Sequence, residues 1–220
     1  MNDQPATQAE PVPTAQKKYK FTGVTSVTPW GTTVRQIRRL KDGELGGYIE
    51  SEKNLSHDGD AWVSDAARVY GDARVYGDAR VYGDAQVYGA ARVSDAARVY
   101  GAARVYGDAQ VSGDARVYGA ARVYGDAQVY GAARVSKPYD YLHIAGLQFP
   151  VTILNTGFMS IGCTTKSFEE WKAVKSSYQV DDAGFAKIRS ALLHLVELME
   201  QWHPKPADPV APAPEAAVQS

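Results

Sequence analysis

Between Gly59 and Ser136 the chain spells one six-residue unit thirteen times without an insertion, as in GDARVYGDARVYGDAQVYG over residues 71–89. The third position is Ala and the fifth is Val in every unit. In an extended chain side chains alternate between faces, so the Ala and Val of ARVY share one side and the Arg and Tyr the other. The remaining pair, usually Gly-Asp or Gly-Ala, has the composition of a sharp corner. A Gly-Asp pair could also close a two-residue hairpin, but a meander of thirteen short strands would leave a long Ala/Val face uncovered. Three units per turn close that face into a dry interior, with Val over Val and Ala over Ala at about 4.8 Å per turn. The sequence therefore predicts a parallel β-helix whose thirteen hexads make a little over four turns of eighteen residues.

The V-Y-G-D-A-R spelling resembles the hexapeptide repeat of the trimeric left-handed β-helix superfamily. The resemblance covers 59–136 and implies an all-β fold built on a parallel left-handed coil, with a right-handed coil as the alternative. That superfamily includes acyltransferases, nucleotidyltransferases and γ-type carbonic anhydrases beside proteins without known chemistry, so it implies no single reaction. The run ELGGYIESEKNLSHDGDAWVS is similar to the leader preceding such repeats in a group of phage and prophage proteins, often labelled transferases. IGCTTKSFEEW (161–171) is similar to the C-terminal segment of the same group.

Outside the repeats the chain divides into four parts. Residues 1–16 and 204–220 hold eight of the eleven prolines and few large apolar side chains, the composition of mobile tails. Segment 17–58 reads as a small N-terminal β cap, with YKFTGVTSV and TTVRQIRRL as strands and Leu55 and Trp62 placed to plug the first coil. Segment 137–203 reads as strands followed by two helices. Ser167 and Glu170 have capping-box spacing before a helix carrying Phe168, Trp171 and Val174. A second helix places Phe185, Ile188, Leu192, Leu195, Met199 and Trp202 on an a/d seam suited either to packing on its own coil or to locking a trimer.

Twenty-four Lys and Arg against twenty-five Asp and Glu leave a net charge of -1, which favours neither a nucleic-acid binder nor a nucleic-acid mimic. One cysteine, no apolar leader and no run long enough to span a bilayer point to a cytoplasmic protein, in the host cytoplasm if phage-encoded, with no membrane partner.

Chemistry is sparse. The repeats contain no histidine; His57, His143, His194 and His203 fall outside them at unrelated spacings, so no metal site and no cofactor is expected. His57, near Asp58, Asp60 and Trp62, is the one candidate general base, and a polar residue at the first coil is the plainer reading. Cys163 has no pairing base in sequence and reads as a structural thiol. The basic cluster Arg35, Arg38, Arg39 and Lys41 reads as a solvated face, with phosphate binding as the alternative.

The outward positions vary more. Taking every third hexad aligns Tyr70, Tyr88, Tyr106 and Tyr124 in one column and Tyr82, Tyr100 and Tyr118 in another, while a third face carries Ser94, Ser112, Gln110 and Gln128. Stacked tyrosines suit either an interface or simple stiffening. Residues 89–106 form one turn in which Arg92, Arg98 and Arg104 are accompanied only by Asp95. This gives a basic belt with Tyr100 and Tyr106 placed to stack on a planar anion. The functional expectation is a non-catalytic homotrimeric scaffold or binding module. The alternatives are an acyl-CoA-dependent acyltransferase using His57, and a binder that sequesters a small nucleotide-like anion.

Overall fold

The computed structural model describes residues 17–137, 140–144, 151–154, 157–161 and 164–173, with isolated positions 194, 197, 198 and 201. Both terminal tails, Cys163 and every residue of the a/d seam lie outside the described residues.

The hexads form a parallel β-solenoid. After β1 (Tyr19–Val27), β2 (Thr33–Arg39) and β3 (Leu45–Ile49), thirteen two-residue rungs run from Trp62–Val63 to Arg134–Val135 at six-residue intervals. Each rung pairs in register with the one eighteen residues on: Arg80 with Arg98, Arg98 with Arg116, Val99 with Val117. Main-chain N–H groups of one turn donate to carbonyls of the next, as Arg98 N to Ala115 O at 2.8 Å and Tyr100 N to Val117 O at 2.9 Å. This direction repeats along the array, so backbone groups that a lone strand would leave open are satisfied by the neighbouring turn. Every Ala at position three and every Val at position five is buried, and together they form one continuous core.

The three faces follow chain order. The first carries β3 and the rungs at Arg68, Gln86, Arg104 and Arg122; the second carries those at Arg74, Arg92, Gln110 and Gln128; the third carries those at Trp62, Arg80, Arg98, Arg116 and Arg134. The coil begins before the hexads do. β3 pairs in parallel with Arg68–Val69, and Leu55 bridges in parallel to Val75, so each face has five rungs and the solenoid makes five turns. Gly46 and Gly47 permit this entry: a Cβ on Gly46 would lie 2.5 Å from Ile37 Cγ1, and one on Gly47 would lie 2.7 Å from Ala67 O.

At this end Leu55 and Trp62 are both buried and both belong to the solenoid's core cluster. Trp62 sits at the fourth position of its hexad and packs beneath Arg39, whose guanidinium carbon lies 4.5 Å from the ring centroid. The strict alternation that points Val63 into the coil turns its neighbour toward Arg39.

β1 and β2 pair antiparallel, and β2 pairs antiparallel with β3, extending the first face into a seven-stranded sheet. At the other end Tyr141–Ile144, Val151–Leu154, Phe158–Ile161 and Thr164–Ser167 form an antiparallel sheet. Tyr141 and Leu154 join the solenoid core, and Gln128 N donates to Thr152 Oγ1 at 3.1 Å. The helix Phe168–Ala173 starts where Glu170 N donates to Ser167 Oγ and Ser167 N donates to Glu170 Oε2, the two halves of a capping box. Phe168 and Trp171 are buried in a separate small core with Val151, Ile153 and Met159.

Candidate functional site

A cleft of about 650 Å³ opens on the second face at the N-terminal end of the solenoid. One wall is the first turn's return segment: Glu52, Lys53, Leu55, Ser56 and His57. The other is the second-face ladder: Arg74, Val75, Tyr76 and Arg92.

The first wall is held from behind. Asn54 is buried and its amide donates to Gly71 O and Ala73 O, both at 2.9 Å, while Ser51 N donates to Asn54 Oδ1 at 2.8 Å. Tyr19 OH donates to Leu55 O at 2.9 Å. Burial, with the Glu52 carboxylate adding to it, raises the Tyr19 pKa far above its ordinary value, so the phenol stays a neutral donor. Leu55 is thereby fixed opposite Val75, and Ser56 N donates to Val75 O at 2.9 Å.

The charges on the cleft are unequally matched. Lys53 Nζ pairs with Asp72 Oδ1 and Lys17 Nζ with Glu52 Oε1, each at 2.9 Å. Those contacts raise the Lys53 pKa and lower those of Asp72 and Glu52, so these three groups are ionised at neutral pH. Arg74 and Arg92 are register partners on adjacent turns, both exposed, and among the described residues neither guanidinium makes an ion pair or a side-chain hydrogen bond. Two arginines in register on strands about 4.8 Å apart suit the bridging of one multivalent anion.

His57 lines the cleft but is not free to act as a base. Its Nδ1 accepts from Lys18 N at 3.1 Å, its ring stacks on Tyr19 with centroids 4.4 Å apart, and its Nε2 lies 4.0 Å from Glu52 Oε2. With the Nδ1 lone pair engaged by the main chain, the neutral ring carries its proton on Nε2, leaving no lone pair to accept one from a substrate.

The six sequence-derived site residues do not converge. His57 and Arg92 meet at this cleft, whereas Arg98 lies on the third face and Arg104 on the first. The belt is thus divided over three faces, because a six-residue step turns the chain to the next face. Nor do its tyrosines offer a surface for stacking. Tyr100 is sandwiched between Tyr82 and Tyr118 at 4.9 and 5.1 Å, and Tyr106 between Tyr88 and Tyr124 at 5.0 and 5.4 Å. Arg74, Tyr76, Lys53 and Ser56 were missed, although the break in the second face's tyrosine column was a visible signal.

The lapse in charge pairing runs along the axis. The corner between the third and first faces carries Asp65 and Asp84 low in the coil, then Ala102 and Ala120. Above that change Arg98, Arg116 and Arg134 on one side and Arg104 and Arg122 on the other flank a corner without acid.

In the basic cluster of β2, Arg35 lies 3.8 Å over the Phe21 ring and donates to Glu50 O, and Arg39 covers Trp62 while pairing with Asp42 and Glu44. These two guanidiniums are structural. Among the described residues no group of three or more His, Cys, Asp or Glu could hold a metal ion, and no helix is long and apolar enough to cross a membrane.

Residues 67–83, 73–89, 85–101 and 109–125 each match the YdcK beta solenoid repeat family model. This is a β-solenoid repeat protein. The YdcK-type matches cover inner turns of the array, which agrees with the in-register pairing of those rungs. No curated protein matches the chain.

Proposed function

We propose that this protein is a non-catalytic binding module, a left-handed solenoid that assembles as a homotrimer and holds a small organic anion in the cleft at its N-terminal end. The observation that carries the reading is the pair Arg74 and Arg92: two arginines in register, neither within ion-pair distance of a carboxylate among the described residues, lining a cleft that also holds Lys53. The spent lone pair of His57 supports binding over acyl transfer.

Self-association is supported by the outer faces. The tyrosine columns present rigid rows of ring edges with their faces mutually covered, which lowers the side-chain entropy lost when a second surface packs on them. The acid-free corner flanked by Arg98, Arg116, Arg134, Arg104 and Arg122 supplies a basic stripe able to pair with carboxylates across an interface.

Native mass spectrometry of the purified chain tests both parts at once. A trimer carrying a small anionic species is expected, with the adduct reduced in an Arg74→Gln, Arg92→Gln double variant. A monomer at micromolar concentration overturns the assembly, and an adduct retained undiminished by the double variant overturns the site.

A further inference from the structure

The outward sixth position of each hexad builds a tyrosine ladder on the first and third faces and fails to on the second. On the first face Tyr70, Tyr88, Tyr106 and Tyr124 stack at 5.0 to 5.4 Å, and on the third face Tyr82, Tyr100 and Tyr118 stack at 4.9 and 5.1 Å. On the second face the same column reads Ser56, Tyr76, Ser94, Ser112, Tyr130. Tyr76 therefore has a serine on the turn below and another on the turn above. It is 41% exposed, and among the described residues no aromatic ring stacks on it. Tyr76 also lines the cleft, beside the unpaired Arg74 and Arg92.

We infer that the cleft selects its anion by a planar ring as well as by charge. The ring stacks on Tyr76, where the ladders of the other two faces place a further tyrosine, and the anionic group spans Arg74 and Arg92. Ser56 and Lys53 lie at the rim as additional hydrogen-bond donors. A cleft of about 650 Å³ exceeds what an inorganic anion fills and lies within the range of pockets for small organic ligands. The ligand class is an organic anion joining an aromatic ring to a phosphate, of nucleoside monophosphate size. This inference rests on the anion-binding reading above and adds to it the chemistry of the ligand.

Calorimetry on the full chain with three probes separates the two. Adenosine monophosphate supplies ring and charge, ribose 5-phosphate supplies the charge without the ring, and adenosine supplies the ring without the charge. The monophosphate is expected to bind about tenfold more tightly than ribose 5-phosphate, the ordinary scale of one ring stacked on an aromatic side chain. Tyr76→Ala should abolish that difference while leaving ribose 5-phosphate binding within about twofold, and Tyr76→Phe should preserve it. Arg74→Gln with Arg92→Gln should remove binding of both phosphates. Equal affinity for the two phosphates, or an advantage of the monophosphate that survives Tyr76→Ala, overturns ring recognition and leaves the anion site standing. Binding of neither phosphate to the wild-type chain overturns both. All three side chains are exposed, so an unchanged unfolding midpoint confirms that the variants report on binding rather than folding.

Discussion

Lys18 N donates to His57 Nδ1 at 3.1 Å, across thirty-nine residues of sequence. The contact fastens the first residues of the N-terminal sheet to the first turn of the solenoid, and the stack of His57 on Tyr19 lies directly beside it. Removing the ring strands a partly buried main-chain donor. His57→Ala is accordingly expected to lower stability by roughly 1–3 kcal/mol, measured by chemical denaturation, with faster hydrogen exchange at the Lys18 amide. An unchanged midpoint and unchanged exchange contradict the fastening role.

Val99 is fully buried in the middle turn, with Val81 and Val117 as its register partners. Val99→Asp sets a carboxyl group among Ala and Val side chains that offer it no hydrogen bond, at a cost on the order of several kcal/mol even when the group is neutral. Loss of folded, soluble protein is expected. A soluble variant with the wild-type thermal midpoint would place Val99 outside the core.

Corner glycines share a left-handed backbone but not the same surroundings. Gly89 has φ +72°, and a Cβ there would lie 2.9 Å from Gly107 N on the next turn; Gly131 has φ +62°, and among the described residues no atom lies within 4 Å of a Cβ there. Gly131→Ala carries only the backbone penalty of about 1 kcal/mol. Gly89→Ala adds a clash with main chain and should lose clearly more stability in a paired denaturation experiment. Equal losses would mean that the turns part more easily than the ladder implies.

His143 packs near Gly125, with Nδ1 3.2 Å from Thr152 Oγ1 and Nε2 buried without a partner among the described residues. Burial lowers its pKa from 6.5, against an opposing pull from Asp126. The unfolded chain then takes up a proton at a pH where the folded chain does not, so stability is full above 6.5 and falls as pH drops from there through the lowered folded value. Denaturation midpoints should decline from pH 7.5 to pH 5, and His143→Gln should flatten part of that decline. An identical pH slope in the variant removes His143 as a source.

The solenoid was legible in the sequence because one rule generates it: a six-residue period with Ala and Val inward fixes three faces, and the eighteen-residue spacing places Tyr82, Tyr100 and Tyr118 in one column. The first turn was not legible. Residues 45–57 enter the coil through Gly46, Gly47, Asn54 and Leu55, which do the work of a hexad without its spelling. The site was half legible. The sequence marks His57 and Arg92, but along the chain the neighbours of Arg92 are Arg98 and the more distant Arg104. In space the neighbour of Arg92 is Arg74, eighteen residues back.

Register at eighteen residues also governs which changes of length the fold tolerates. Excising one hexad rotates everything downstream by one face: the two tyrosine columns break, unlike outer residues are stacked together, and the C-terminal sheet is carried to a different side of the prism. Excising three hexads shortens the axis by one turn, about 4.8 Å, and leaves every downstream column in phase with the cleft below it. Length is therefore free to vary in whole turns, while the angular position of anything attached at the far end stays tied to the residue count modulo eighteen.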